Sequence, residues 1–195
     1  MYREYTTTDI HMTYFFDVMS TLIYDPFFSD VPKAYNQSLR GFLADKDKYA
    51  WVDFESGTLT EQDFAKRFSA DEHHAYLMRD TLFANYRWID GMKDILFALR
   101  AQGHTICTLS NYPIWYEELN TRMELSLYVD QHFVSYQMGF RKPNPKAYSI
   151  PLETMNCPPE QAIFIDDREE NCSAAQQLGI RSILFHNATQ LRAEL

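Results

Sequence analysis

Thr13-Tyr14-Phe15-Phe16-Asp17-Val18-Met19-Ser20-Thr21-Leu22 is the stretch on which the reading of the whole chain turns. Within it Tyr14–Val18 is a short aromatic and β-branched run, too brief for a helix, and its apolar density predicts a strand buried on both faces. Such a strand belongs inside a parallel sheet. Asp17 falls at its C-terminal end, and in open α/β sheets the carboxyl ends of the strands border the ligand crevice. A carboxylate there is a candidate nucleophile.

Outward from this strand, similar runs recur at Thr105–Leu109, His132–Tyr136, Ala162–Ile165 and Ser182–Phe185. Helical patterns alternate with the later ones. Gly91–Gln102 carries Met92, Ile95, Leu96 and Leu99 on one face, and Glu169–Leu178 is closed by Gly179 at the position after the helix where a left-handed residue is favoured. Alternating strands and helices predict an α/β fold, a doubly wound parallel sheet with helices on both faces. From Asp25 to Tyr86 the alternation stops and only helical segments are found, one of them opened by Thr60 with Asp63 three residues on, in the manner of a capping box. The expected organisation is therefore a core of residues 1–24 and 87–195 with a helical insert, 25–86.

Three further segments carry chemistry. The second strand ends in Thr108-Leu109-Ser110-Asn111, where a hydroxyl, an amide and free backbone N–H groups suit a phosphoryl oxygen. In Arg141-Lys142-Pro143-Asn144-Pro145 two prolines hold the chain rigid beside a lysine, which suits one fixed positive charge. The fourth strand ends in Phe164-Ile165-Asp166-Asp167, two acids suited to a hard cation such as Mg²⁺. Each has a plain reading alone, as turn chemistry or a solvated side chain. Their common position at or just after the ends of apolar strands joins them into one candidate site.

Composition narrows the partners. A net charge of −9 and a pI near 5.1 argue against a nucleic-acid backbone binder, which needs clustered Lys and Arg. No apolar run has the length of about 18 residues that crosses a bilayer, and MYREYTTTDIHMT lacks the apolar stretch of a secretory signal. An intracellular, cytoplasmic location is expected, or an organelle stroma or matrix if a transit peptide has been removed. Cys107, Cys157 and Cys172 show no metal or disulfide spacing and are expected as reduced thiols. His73, His74 and His104 have no acids at ligand spacing around them. A monomer or homodimer is expected.

In order and spacing the four segments resemble the four motifs of the haloacid-dehalogenase superfamily, over nearly the whole chain. The resemblance implies a Rossmann-like core with a helical cap that closes over a small phosphorylated substrate. It implies Asp17 as the nucleophile forming an aspartyl-phosphate, with Lys142 steadying it, and Ser20, Thr21, Ser110, Asn111 and Lys142 around the phosphate. It also implies Mg²⁺ held by Asp17, Asp167 and the backbone carbonyl of Met19, with Asp166 in the same metal site and Asn171 in support. Phosphatases of that superfamily carry a second Asp two residues after the nucleophile, where this chain has Met19, and general acid–base help of that kind is worth about 10²–10⁴-fold. FDVMSTLIYDPFF, SNYPIWY and RKPNP resemble in turn the plant chloroplast flavin mononucleotide hydrolases, which share the Met and follow it with Asp where this chain has Ser20. Ser20 holding a water and Asp25 carrying a proton are the substitutes that position allows. Trp51, Phe54, Tyr112, Trp115 and Tyr116 are candidates to stack a flavin or to fill core and cap. The expectation is a Mg²⁺-dependent phosphomonoester hydrolase, with flavin mononucleotide a candidate substrate. Its rival is a catalytically impaired relative that binds a phosphorylated ligand or a protein partner.

Overall fold

The computed structural model describes residues 11–44 and 46–195; residues 1–10, most of the stretch read above for a signal, lie outside it. Strand β1 (Thr13–Phe16) is followed by helices α1 (Asp30–Ala34), α2 (Leu39–Leu43), α3 (Ala50–Glu55), α4 (Glu61–Phe68) and α5 (His73–Asn85). Helix α6 (Met92–Ala101) leads into β2 (Thr105–Ser110), then α7 (Tyr116–Met123), β3 (Gln131–Val134), α8 (Ser135–Met138) and α9 (Lys146–Thr154). The chain ends with β4 (Ala162–Asp166), α10 (Glu169–Gln177), β5 (Arg181–Leu184) and α11 (Ala188–Glu194).

The strands form one parallel sheet in the order β3-β2-β1-β4-β5. The α/β reading therefore holds, and β1 lies at the centre, where the windings to the two sides diverge. Side chains alternate across it as the strand period requires. Tyr14 and Phe16 face one buried cluster with Ile106, Ile163, Ile165 and Ile183, while Phe15 faces the other with Cys107, Leu109, Phe133 and Phe164. The first cluster continues without a break into the helical stretch, through Phe42, Phe54, Phe64, Phe68 and Met78. The second contains Ala147 and Tyr148 of α9 and Ala175 of α10.

Local chemistry sets the helix ends. Thr60 accepts the Asp63 N–H at 3.1 Å, and its hydroxyl donates to Asp63 Oδ2 at 2.7 Å. Gly179 has φ +81°, which only a residue without Cβ adopts freely, and its N–H donates to the Gln176 carbonyl. Strand β3 stops at Val134, two residues short of the predicted Tyr136, where Ser135 opens α8; the Ser135 hydroxyl donates to the Glu55 carbonyl at 2.5 Å and accepts the Tyr112 N–H at 3.0 Å. The chain enters and leaves the helical stretch side by side, with the Tyr24 N–H on the Arg87 carbonyl and the Ile89 N–H on the Leu22 carbonyl. Gly57 docks that stretch on α8, since a Cβ there would lie 2.3 Å from the Tyr136 carbonyl oxygen. Among the described residues no helix is long and apolar enough to cross a membrane, and the three cysteines are free and buried.

Candidate active site

The carboxyl ends of β1, β2 and β4 meet at one point. Asp17 extends the β1–β4 ladder by one bond, its N–H donating to the Ile165 carbonyl at 2.8 Å, and its side chain is then held at the sheet edge. The turn that follows closes on Val18, whose carbonyl accepts the N–H groups of Leu22 and Ile23. Ser20 takes φ 63° in that turn and donates its N–H to the Ile23 carbonyl at 2.7 Å.

Lys142 is 1% exposed, and its Nζ donates to Asp17 Oδ1 at 2.7 Å and to Asp166 Oδ2 at 2.6 Å. Burial works against its charge, yet the Asp166 and Asp17 carboxylates together raise the ammonium above its usual pKa. Asn111 fixes the lysine by its backbone: Oδ1 accepts the Lys142 N–H at 2.7 Å and Nδ2 donates to the Lys142 carbonyl at 2.8 Å. Asn111 also lines the cavity, but its amide is committed to the lysine rather than open to a phosphate.

Of the two adjacent acids, Asp167 faces the cavity and Asp166 does not. Asp166 is fully buried, accepting from Lys142 Nζ, from Asn171 Nδ2 at 3.0 and 3.1 Å and from the Arg168 N–H at 2.8 Å. Every one of these bonds turns it inward, so the expectation that it ligates a metal gives way to one in which it holds Lys142. Asn171 supports it. Ser110 and Thr21 are buried, and neither hydroxyl has a hydrogen-bond partner among the described residues. Burial raises the Asp17 carboxyl to about 8 against the pull of Lys142, with the charges of Asp166 and Asp167 adding to the rise. Burial and Asp166 likewise raise Asp167.

Lys142 thus pairs with two carboxylates, and Asp167 beside them adds further acidity that a cation between Asp17 and Asp167 would offset. Among the described residues no three His, Cys, Asp or Glu side chains form a ready metal cage. Magnesium does not require one, since it is bound by one or two carboxylates together with water and substrate oxygens. Asp17, Asp167 and Met19 line the same cavity, and two carboxylates with a backbone carbonyl fit that habit.

The cavity above this floor has a volume of about 460 Å³. Its lining includes Met19, Ser20 and Asp25 at the entry to the helical stretch, the rings of Phe27, Phe28, Trp51 and Tyr112, and Leu82. Trp51 and Tyr112, two of the aromatic candidates, therefore face the cavity; Phe54, Trp115 and Tyr116 are buried in the core cluster. Sequence reasoning missed Glu55 and Arg141, which also line it. Arg141 Nε donates to Glu55 Oε2 at 3.0 Å, with Nη2 in an ion pair to the same oxygen at 3.0 Å, and Trp51 Nε1 donates to Glu55 Oε1 at 2.6 Å. The signal was present in Trp51 and Glu55 four residues apart, an acid on the apolar face of α3. Burial raises Glu55 to about 7, against the charge of Arg141.

A parallel α/β sheet that presents a lysine-held carboxylate at its central strand end, beside a small cavity lined by helical residues, is an arrangement suited to hydrolytic chemistry. The chain belongs to the haloacid dehalogenase-like hydrolase family, whose sequence profile matches residues 11–179, and it is an enzyme of that family. It is 34% identical over 182 residues to the chloroplast flavin mononucleotide hydrolase 1 of Arabidopsis thaliana, covering 92% of this chain and 74% of that one. It is 26% identical over 184 residues to the D-ribitol-5-phosphate phosphatase of Bacteroides thetaiotaomicron, covering 85% of this chain and 89% of that one. The fold matches a haloacid-dehalogenase-family enzyme from the same bacterium, solved in complex with magnesium and inorganic phosphate, with a TM-score of 0.75, 19% identity, and 91% and 96% of the two chains covered.

Proposed function

We propose that the protein is a magnesium-dependent phosphomonoester hydrolase that works through an aspartyl-phosphate on Asp17, and that flavin mononucleotide or a similar ring-bearing phosphate is its substrate. The observation that carries this reading is the Asp17–Lys142–Asp166 chain of charge-assisted bonds at the bottom of a cavity with aromatic walls. In this reading residues 25–86 are a cap that roofs the site, and residues 11–24 and 87–195 form the described part of the core.

Lys142 holds one oxygen of Asp17 and leaves the other to attack phosphorus; the same ammonium stabilises charge gathering on the phosphoryl oxygens. Ser110 and Thr21 supply hydroxyls not engaged elsewhere among the described residues, and Ser20 lies on the cavity itself. Asp17, Asp167 and the Met19 carbonyl would hold the magnesium, which when bound supplies a Lewis acid for the phosphoryl group. Phe27, Phe28, Trp51 and Tyr112 are suited to a flat aromatic ring, and a volume of about 460 Å³ lies in the range of small-molecule sites, about 300–1,000 Å³. The 34% identity to a flavin mononucleotide hydrolase supports the same substrate class.

The test is phosphate release from riboflavin 5′-phosphate and a panel of small phosphomonoesters, with and without magnesium, comparing wild type with Asp17→Asn. Magnesium-dependent release that disappears in the variant is the expected result. Tight ligand binding with no release from any ester would instead make the protein a binder of phosphorylated ligands.

A further inference from the structure

We propose that Asp25 is the general acid and base of this site, giving a proton to the departing alcohol and later taking one from the attacking water. This rests on the reading of the site as a phosphomonoester hydrolase.

An alkoxide leaving an alkyl phosphate is strongly basic, so hydrolysis at neutral pH needs a side chain in the cavity that can hold a proton and release it. Five residues of the cavity lining carry a carboxyl or phenol: Asp17, Asp25, Glu55, Tyr112 and Asp167. Asp17 is the nucleophile. Glu55 has both oxygens occupied, by Trp51 and by Arg141. The Tyr112 hydroxyl is hydrogen-bonded to that of Tyr86 and its pKa stands well above 10, out of reach of a neutral-pH proton transfer. Asp167 is the metal-side acid. Asp25 remains.

The geometry of Asp25 suits the task. Its Oδ1 accepts the Phe27 N–H at 2.9 Å, which caps the short 3-10 turn Pro26–Phe28 and fixes the carboxyl where the chain enters the helical stretch. Its Oδ2 makes no hydrogen bond among the described residues, so one oxygen is a fixed anchor and the other is open toward the cavity. The charged and titratable groups that act on it are Asp167 across the cavity and the paired hydroxyls of Tyr86 and Tyr112. Burial, opposed by the Phe27 N–H and reinforced by Asp167, raises this carboxyl to about 6, close enough to neutrality to serve in both protonation states.

The two half-reactions then balance. In the first, Asp17 bonds to phosphorus as the ester P–O bond breaks, and the Asp25 proton passes to the leaving oxygen to give the alcohol. In the second, water bonds to phosphorus through oxygen and loses one proton to the Asp25 carboxylate. The P–O bond to Asp17 breaks, orthophosphate leaves, and both aspartates return to their starting states.

The experiment is the Asp25→Asn holoenzyme with magnesium, followed in the pre-steady state. Asn keeps an oxygen acceptor for the Phe27 N–H, so the turn is retained, and a matched circular-dichroism melt checks folding. Asp25→Ser, which can also cap the turn, serves as a second variant. With riboflavin 5′-phosphate, whose alcohol must be protonated, leaving-group release should fall by about 10²–10⁴-fold. With p-nitrophenyl phosphate, whose phenolate leaves unaided, the first release should stay within about threefold of wild type, because acid help matters little for so good a leaving group. Turnover should then stall, and intact-mass spectrometry should find the phosphorylated enzyme accumulating. Equal losses on both esters, or full activity on both, would overturn the role of Asp25. A wild-type enzyme that releases nothing from either ester would instead sink the phosphatase reading on which it stands.

Discussion

In and beneath the floor of the cavity Lys142 is joined to Asn111, Asp17 and Asp166 by hydrogen bonds of 2.6 to 2.8 Å. In its walls Phe27, Phe28, Trp51 and Tyr112 meet ring to ring, with centroids 5.3 to 6.2 Å apart. The floor is directional and charged: each group there has its partner only at one position, and moving one strands another in a buried setting. The walls are held by contacts that change gradually with distance and angle. Chemistry is therefore expected to be concentrated in the floor and substrate choice in the walls, and changes in the two should fail in different ways.

The largest effect should come from the floor. Asp17→Asn removes the proposed nucleophile, and activity is expected to fall by about 10³-fold or more while the protein stays folded, since effects of that size are typical when a covalent nucleophile is lost. Residual turnover above that level would point to a different attacking group. Lys142→Met should lower stability by about 3–5 kcal/mol, read from urea unfolding, because two buried carboxylates lose their common cation. A smaller loss would mean that the floor reorganises, as the walls are expected to. Asn111→Ala removes both bonds to the Lys142 backbone and should cost about 1–3 kcal/mol, with kcat reduced for every substrate alike. Selective loss on one substrate would assign Asn111 to binding instead.

Changes in the walls should be milder and selective. Phe28 is 61% exposed and lines the cavity, so Phe28→Ala should leave unfolding nearly unchanged. It should raise KM about two- to tenfold for a ring-bearing phosphate and hardly at all for a short alkyl phosphate, as an aromatic contact of about 0.5–1.5 kcal/mol implies. Equal KM changes for both would break the division between floor and walls. The smallest effect concerns pH. Glu55 has its carboxyl raised by burial to about 7, so the folded state keeps a proton that the unfolded chain gives up at lower pH. Its contribution to stability is full below the unfolded carboxyl range and is lost as pH rises through about 7. The urea midpoint of the wild type should accordingly fall between pH 5 and 8 more steeply than that of Glu55→Gln; parallel curves would show that Arg141 keeps Glu55 ionised throughout.

The floor was the more legible region in the sequence. Asp17, Ser110 and the Asp166-Asp167 pair each end or directly follow an apolar run, and an apolar run that stops at a polar residue marks both a strand and its end. Lys142 was legible through the two prolines that follow it. What those signals lacked was direction. Adjacent acids on a strand end point to opposite sides, and only the positions of Lys142, Asn171 and the Arg168 N–H determine that Asp166 turns inward and Asp167 outward. Asn111 was read as a phosphate ligand because an amide at a strand end suits either task; the Lys142 backbone, 31 residues further on, decides between them.

By itself the sequence determined the parallel α/β class, the buried strand that delivers Asp17, and the helical character of the residues between the first two strands, while the central place of that strand came from the tertiary structure. These follow from local periodicity and from the burial that apolar runs demand. Tertiary structure alone decided that the helical stretch shares one buried cluster with a face of the sheet, that Glu55 meets Arg141 across 86 residues, and that Asp25 opens onto the same cavity as Asp17. Those outcomes depend on contacts between segments far apart in the chain, and the energy of such a contact exists only when both partners have been brought to it.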